Sequence, residues 1–450
     1  MGIDITTLKS VRDELDRYVA QYDDCIRTAP SRRHFATVVR GQLSDLERKS
    51  VEPIALEAGT PPRTLQEFFS LHKWDHDKVR VRLQQLAAAH VGDAPTMGVI
   101  DETGMPKKGD KTPAVQRQYC GQTGKLDNCT VHVQLALATN DFHTLIDEEP
   151  FLPESWSDDR ERCRNAGIPD EVEHRPKWQI GLELYDRAVA NGVRFDWIVA
   201  DEAYGAVPAF RDALDERGQR WVVEVPSTLH GWTKPPKMIV PAKTATMGRP
   251  RTREQLAPGQ KAARPVHSLW QRGGPSWRYI DVKPTTKGRQ VWNTRVIRFI
   301  PQRRGQQQPG EPRWLIIAKH ALNDAHKYFL SNAPENMPPE KLIEIAFGRW
   351  HIEQCFEDAK REVGLNHFEV RTWIAMRRHS LLCMVSLLFL SLQTQRLREK
   401  KSGPFVEPYS GEADRGGATR PADSASRARQ ATQAPSHATQ LPPHPQPRSR

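Results

Sequence analysis

Lys177 to Ala190 carries apolar residues at helical spacing and stops at Asn191-Gly192; Val193-Arg194-Phe195-Asp196-Trp197-Ile198-Val199-Ala200 then runs into Asp201. Glycine supplies the left-handed conformation that ends a helix without steric cost. The run behind it has the length and composition of a buried strand. Val207 to Arg217 reads as a second helix and Trp221-Val222-Val223-Glu224-Val225 as a second strand. A β-α-β crossover with parallel strands is expected. Upstream, Met97-Gly98-Val99-Ile100 runs into Asp101. Gln116 to Cys120 and Thr130 to Ala138 flank the turn Gly121-Gln122-Thr123-Gly124, and Thr144-Leu145-Ile146 suggests a third strand.

Strands in hairpins followed by β-α-β alternation predict an α/β chain (mixed α+β), in the order of an RNase H-like core. Asp101 and Asp201 each close an apolar run, which places both at strand ends. A lone aspartate there is ordinarily a turn or helix cap. Two of them, with a glutamate further on, have the order that a two-metal site uses. Hard divalent cations favour oxygen ligands, and a pair of them clamps the attacking and leaving oxygens of a phosphodiester displacement. Glu102 and Glu202 would point to the opposite side of a continuing strand and are second choices.

The glutamate comes from Arg349-Trp350-His351-Ile352-Glu353-Gln354-Cys355-Phe356-Glu357-Asp358-Ala359-Lys360, spaced R-x3-E-x6-K. The pattern predicts one helix over Glu340 to Val363, begun by Pro338-Pro339 and stopped by Gly364. Arg349, Glu353 and Lys360 fall within about 40 degrees of one another at about 3.6 residues per turn. Ile345, Ile352, Phe356, Ala359 and Val363 form the adjoining apolar arc. A charged stripe is ordinarily a solvated face; one that borders the buried face favours a function. His351 and Cys355 have the spacing of a zinc pair, but no second pair lies nearby.

The 450-residue chain has a formal charge of +11 and a pI near 9.4, which favours nucleic acid as partner. Cys25, Cys120, Cys129, Cys163, Cys355 and Cys383 include no C-x-x-C pair. That argues against a zinc ribbon or a disulfide framework and suits a reducing cytoplasm. Met1-Gly2-Ile3-Asp4-Ile5 lacks the basic-then-apolar order of a signal peptide and does not support myristoylation. Leu381 to Leu392, the longest apolar stretch, falls short of the roughly 20 residues that span a bilayer. It reads as a buried terminal helix, and no membrane partner is expected.

Residues 1–92 read as a helical, DNA-binding domain. Leu8, Val11, Leu15, Tyr18 and Val19 have helical spacing, continued by Leu43 and Leu46. Ala55, Gly59 and Leu65 have the spacing of a helix-turn-helix; an ordinary helix pair is the alternative. Residues 93–225 form the first part of the core. A basic, β-rich, exposed insertion follows over 226–312, with five tryptophans between 232 and 314. Most of these pack within the insertion, with Trp292 the candidate to stack on a base. Residues 313–396 complete the core. The tail over 397–450, rich in Pro, Ser, Ala and Arg from Gly403 on, reads as disordered.

The chain resembles a DDE transposase of bacterial insertion sequences, of the insertion sequence 701 type. Val99-Ile100-Asp101-Glu102-Thr103-Gly104, Gln116-Arg117-Gln118-Tyr119, Ala200-Asp201-Glu202-Ala203-Tyr204-Gly205 and the R-x3-E-x6-K helix carry the resemblance. It implies an RNase H-like catalytic core, two Mg2+ ions with Mn2+ as an alternative, and cut-and-paste movement of a DNA element. It further implies a homodimer bound to the two element ends and to target double-stranded DNA, in the cytoplasm at the nucleoid. Asp101, Asp201 and Glu353 match the metal-binding triad, and Arg349 and Lys360 match phosphate-contacting positions. Lys107 and Lys108, in the loop after Asp101, are further candidates to touch DNA. Relatives in the wider group often carry tyrosine where this chain has Ala346, beside Phe347. Two other functions stay open: a DNA-binding regulator without catalysis, and a carboxylate-pair glycoside hydrolase.

Overall fold

The computed structural model describes residues 5–240, 254–270, 278–285, 288–303 and 308–401. Five helices come first: α1 (Ile5–Ala20), α2 (Ala29–Gln42), α3 (Val51–Glu57), α4 (Pro62–Ser70) and α5 (His76–Val91). The strands β1 (Met97–Pro106), β2 (Gln116–Cys120), β3 (Lys125–Ala138) and β4 (His143–Pro150) follow, then α6 (Glu154–Ser157) and α7 (Arg160–Asn165). Next are α8 (Lys177–Ala190), β5 (Trp197–Ala200), α9 (Glu202–Gly205), α10 (Pro208–Glu216) and β6 (Trp221–Glu224). Beyond them lie β7 (His230–Trp232), β8 (Met238–Ile239), β9 (Gln255–Leu256), β10 (Arg264–Pro265) and β11 (Arg278–Thr285). The last strands are β12 (Gly288–Pro301), β13 (Arg313–His320) and β14 (His326–Ser331), before α11 (Pro339–Phe347), α12 (Trp350–Arg361) and α13 (Trp373–Lys401). The predicted tail from Gly403 and the predicted strand residue Trp277 lie outside the described residues.

The fold is mixed α+β, as expected. β5 is parallel to β1 and to β6. β3 is antiparallel to β1, and β2 and β4 lie end to end along its other edge. The order through this part of the sheet is therefore β4-β3-β1-β5-β6. β14, β13 and β12 continue the same sheet beyond β6, and β11 and β7 both pair with β12. The expected insertion thus extends the core sheet instead of standing apart from it. The cause is apolar surface: Phe299 and Ile300 on β12 and Leu315, Ile316 and Ile317 on β13 are all buried.

In the N-terminal helices a short turn joins α3 to α4, a feature that the helix-turn-helix and the ordinary helix-pair readings share. Thr60 N donates to Ala55 O at 2.8 Å and Gly59 adopts φ +61°, with Ala55 and Leu65 buried. Leu43 and Leu46, expected to be helical, fall after the end of α2. The bundle is closed by α13, which is longer than its Leu381–Leu392 stretch. Tyr18 Oη donates to Val385 O at 2.8 Å, and Ser386 Oγ to Gln42 Oε1 at 2.8 Å. Arg378 donates to the carbonyls of Phe68, Phe69 and Trp74. By length and composition α13 could cross a membrane, but here it is mostly buried, packed against β4 as well as the N-terminal helices. Residues on both sides of position 92 therefore belong to one apolar core.

Candidate active site

Ile100 and Ala200 form the last pair of the parallel β1–β5 ladder, and the residue after each is an aspartate. Asp101 and Asp201 therefore stand side by side where that ladder ends. Asp201 caps α9, accepting from Ala203 N at 3.0 Å and Tyr204 N at 3.4 Å. β1, however, does not end at Asp101. It continues along β3 to Pro106, so Asp101 is a mid-strand residue and the strand-end expectation is corrected. The continuation sorts its neighbours by face. Glu102 turns toward α8, where Lys177 Nζ lies 2.6 Å away, while Asp101 turns toward α12.

Close packing fixes this corner. A Cβ at Gly205 would lie 1.8 Å from Glu224 O, and one at Gly181 would lie 2.8 Å from Ile100 Cγ2. Glycine thus lets α9 sit on the end of β6 and α8 sit on β1.

The single helix expected over Glu340 to Val363 is in fact two. Gly348 N donates to Ile345 O, His351 N to Gly348 O and Ile352 N to Arg349 O, the tighter three-residue pattern of a 3-10 turn. A Cβ at Gly348 would meet Met97 Sδ at 2.7 Å, so the break abuts the start of β1. It leaves Arg349 at the head of α12, and the guanidinium spans two carboxylates. Nη1 lies 2.7 Å from Asp101 Oδ2 and Nη2 lies 2.7 Å from Glu353 Oε1.

The electrostatics follow from this packing. Burial pushes the Asp101 carboxyl up to about 7, with Arg349 opposing and Asp201 adding to the rise. Burial raises Asp201 as well. Burial works against the charge of Arg349, yet the carboxylates of Asp101, Glu353, Glu224 and Asp201 hold its pKa above the ordinary value. Tyr204, whose buried hydroxyl has no partner among the described residues, is raised by burial and by Glu102, Asp101 and Asp201.

Sequence reading missed Glu224. Trp221-Val222-Val223 runs into it as the other two apolar runs reach their aspartates, and that was the available signal. Lys327 Nζ donates to both of its oxygens, at 3.0 and 2.8 Å. Gln134 was also missed: it is the strand partner of Asp101 on β3, buried, with its amide unpartnered among the described residues.

Carboxylates of this kind suit a hard divalent cation. As the side chains stand, no group of three or more His, Cys, Asp or Glu among the described residues is gathered closely enough to hold a metal. Glu353 meets Asp101 through Arg349, so the guanidinium already supplies positive charge between them. The donor chemistry of Asp101, Asp201 and Glu353 fits such an ion.

The other expected site residues divide. Lys360 is half-buried beside the Phe356 ring, and burial lowers its pKa. The Lys107 ammonium is engaged within the protein. It donates to Asn366 O at 3.0 Å and Phe368 O at 2.8 Å, and it lies 3.3 Å from the centroid of the Phe368 ring. Lys108 is exposed. Trp292 is only 6% exposed, packed against Phe347 and His320 at 5.4 and 5.0 Å, so neither face is open to a base. His351 and Cys355 are both buried, and His351 is stacked on Trp350.

Residues 21–289 match the family model described as DDE superfamily endonuclease. The chain belongs to that family. The match includes Asp101 and Asp201 but stops short of Arg349 and Glu353. A similar protein is the probable transposase for insertion sequence element IS701 of Microchaete diplosiphon, 31% identical over 217 residues. The aligned part is 47% of this chain and 54% of that protein, so the chain spans about half the length of the curated relative it matches.

Proposed function

We propose that this chain is a transposase of an insertion sequence, cutting DNA strands and joining them to target DNA with Mg2+. Asp101, Asp201 and Glu353 are its metal-binding and catalytic carboxylates. One observation carries the reading: two aspartates stand side by side at the end of a parallel ladder, and one arginine joins the first of them to Glu353. The sheet order β4-β3-β1-β5-β6 supports an RNase H-like catalytic core. The helices of residues 1–92 fit a DNA-reading part, and the strands over 226–312 a basic insertion.

Two Mg2+ ions, or Mn2+, would polarise the phosphodiester and activate the attacking hydroxyl. The chain's own work is positioning. Arg349 and Lys360 flank Glu353 on α12 and hold phosphate oxygens when DNA is bound. Such contacts fix register without reading sequence, and in-line attack depends on that register. Double-stranded DNA is the partner, a homodimer joins the two element ends, and the nucleoid is the place of action.

The test uses DNA carrying the flanks of the protein's own element. Asp101→Asn, Asp201→Asn and Glu353→Gln should each abolish Mg2+-dependent cutting while DNA binding stays near normal. Substantial cutting by any one variant removes that residue from the triad. Binding without any cutting by the wild type would leave the regulator reading instead.

A further inference from the structure

The aromatic expected to meet DNA, Trp292, is buried. The hairpin of β2 and β3 presents one that is not. Tyr119 and Leu126 are strand partners, and each is 62% exposed. Tyr119 is the one aromatic among the exposed large apolar residues described. The register places Arg117, Tyr119, Leu126 and Asn128 on one face of the hairpin, without a carboxylate among them. Lys125 and Asp127, the strand partners of Cys120 and Gln118, lie on the opposite face.

The hairpin is firmly mounted. A Cβ at Gly104 would lie 2.8 Å from Cys120 Sγ and 3.3 Å from Gly121 N, so its tip rests directly on β1. Lys107 N donates to Asn128 O at 2.8 Å. Asn128 Nδ2 donates to the carbonyls of Lys107 and Gly109, each at 2.8 Å. Gly104 is three residues beyond Asp101, or ~10 Å at roughly 3.3 Å per residue. It faces the side of the sheet that carries Glu102. A rigid exposed apolar pair with the Arg117 guanidinium on the same face marks an interaction surface, and a polyanion with exposed ring faces matches its chemistry.

We infer that the Tyr119–Leu126 face is a stacking surface for DNA, covering the terminal base pair of a duplex end held at Asp101 and Asp201. This rests on the proposed function, because cutting next to the hairpin creates such an end. Inside a continuous duplex each base is covered by its neighbours; at a cut end one ring face is bare. Tyrosine supplies a sequence-tolerant platform for it, and Arg117, on the same face, is the cation placed for a flanking phosphate.

The experiment compares the full chain with Tyr119→Ala and Tyr119→Phe. The probe is a short duplex carrying a fluorescent purine analogue at its terminus or, in a second duplex, at an internal position. Wild type and Tyr119→Phe should change the fluorescence of the terminal analogue and leave the internal one alone. Tyr119→Ala should abolish the terminal change and weaken binding to the short duplex at least about fivefold. Its binding to a long duplex, where ends are rare, should match the wild type. Equal behaviour of the alanine variant and the wild type overturns the inference while leaving the proposed function standing. Failure of the wild type to bind either duplex overturns both. A drop in self-association of Tyr119→Ala with unchanged DNA binding would assign this face to a second copy of the chain and overturn the inference.

Discussion

Arg349 Nη1 lies 2.7 Å from Asp101 Oδ2, and the same guanidinium reaches Glu353 at 2.7 Å. The two arms differ in weight. The Glu353 side chain is 61% exposed and that of Arg349 only 18%. The outer arm is thus worth at most about 1 kcal/mol, and the buried arm to Asp101 carries more of the weight.

Arg349→Gln should therefore destabilise the metal-free protein while freeing the carboxylates for a cation. In thermal melts with and without Mn2+, the ion should raise the melting temperature of the variant more than that of the wild type. Equal or smaller rises would mean that the guanidinium does not compete for the cation position.

Gly205→Ala should be the most damaging single methyl in this corner. Its Cβ would land 1.8 Å from a backbone oxygen, which no rotamer change relieves, and α9 would have to lift off β6. A loss beyond about 3 kcal/mol is expected, above the ordinary range for overpacking. Gly181→Ala meets the side chain of Ile100, which can shift, and should cost less. Urea unfolding of both variants measures the order.

Lys107 and Lys108 are adjacent but should behave in opposite ways. Lys107→Ala removes two donors from the carbonyls of Asn366 and Phe368 and should lower the melting temperature, with little change in the salt dependence of DNA binding. Lys108→Ala should leave stability alone and flatten that dependence by a slope of about 0.9 if it contacts a phosphate. Binding and melting curves across a salt series decide it. A stability loss confined to Lys108→Ala would reverse the assignment.

Acid should unfold the protein through neutral histidines, one buried (His379) and one half-buried (His76). Burial lowers His379 from 6.5 to about 3, and His76 from 6.5 to about 4. Each takes up a proton on unfolding at pH values between its folded and unfolded pKa, so the stability it contributes is full above pH 6.5. That stability is lost as pH falls toward 4 for His76 and toward 3 for His379. Melting temperatures measured from neutral pH downward should fall over this window, and His379→Gln should have a shallower slope than the wild type. An unchanged slope would remove His379 from the account.

Much of this was legible in the residues. α8 spans the predicted Lys177 to Ala190, because an amphipathic run and an Asn-Gly stop are both local signals. The β2–β3 hairpin and the crossover were legible for the same reason. What escaped depends on distant packing. Within Glu340 to Val363 Gly348 is the local sign of a break, and what demands it is Met97, some 250 residues upstream. Trp292 looked like a surface aromatic beside basic residues, until Phe347 and His320 covered it. Lys107 read as a candidate to touch DNA because its carbonyl partners lie beyond residue 360. The strand-end rule that found Asp101 and Asp201 applied equally to Glu224, but the crossover had already claimed that run as a plain strand.

The closure of the N-terminal bundle by α13 sets an order of events during synthesis. Tyr18, Gln42 and the carbonyls of Phe68, Phe69 and Trp74 find partners on residues 378 to 386, so the first helices made wait for the last one described. Glu353 and Arg349 also emerge late, long after the two aspartates. A ribosome that stops before residue 373 releases a chain whose helical layer is open and whose apolar surface is exposed, a substrate for proteases. Completion of the chain is thereby the condition for closing the helical layer, and a copy truncated before residue 373 should be cleared by proteolysis faster than the full chain.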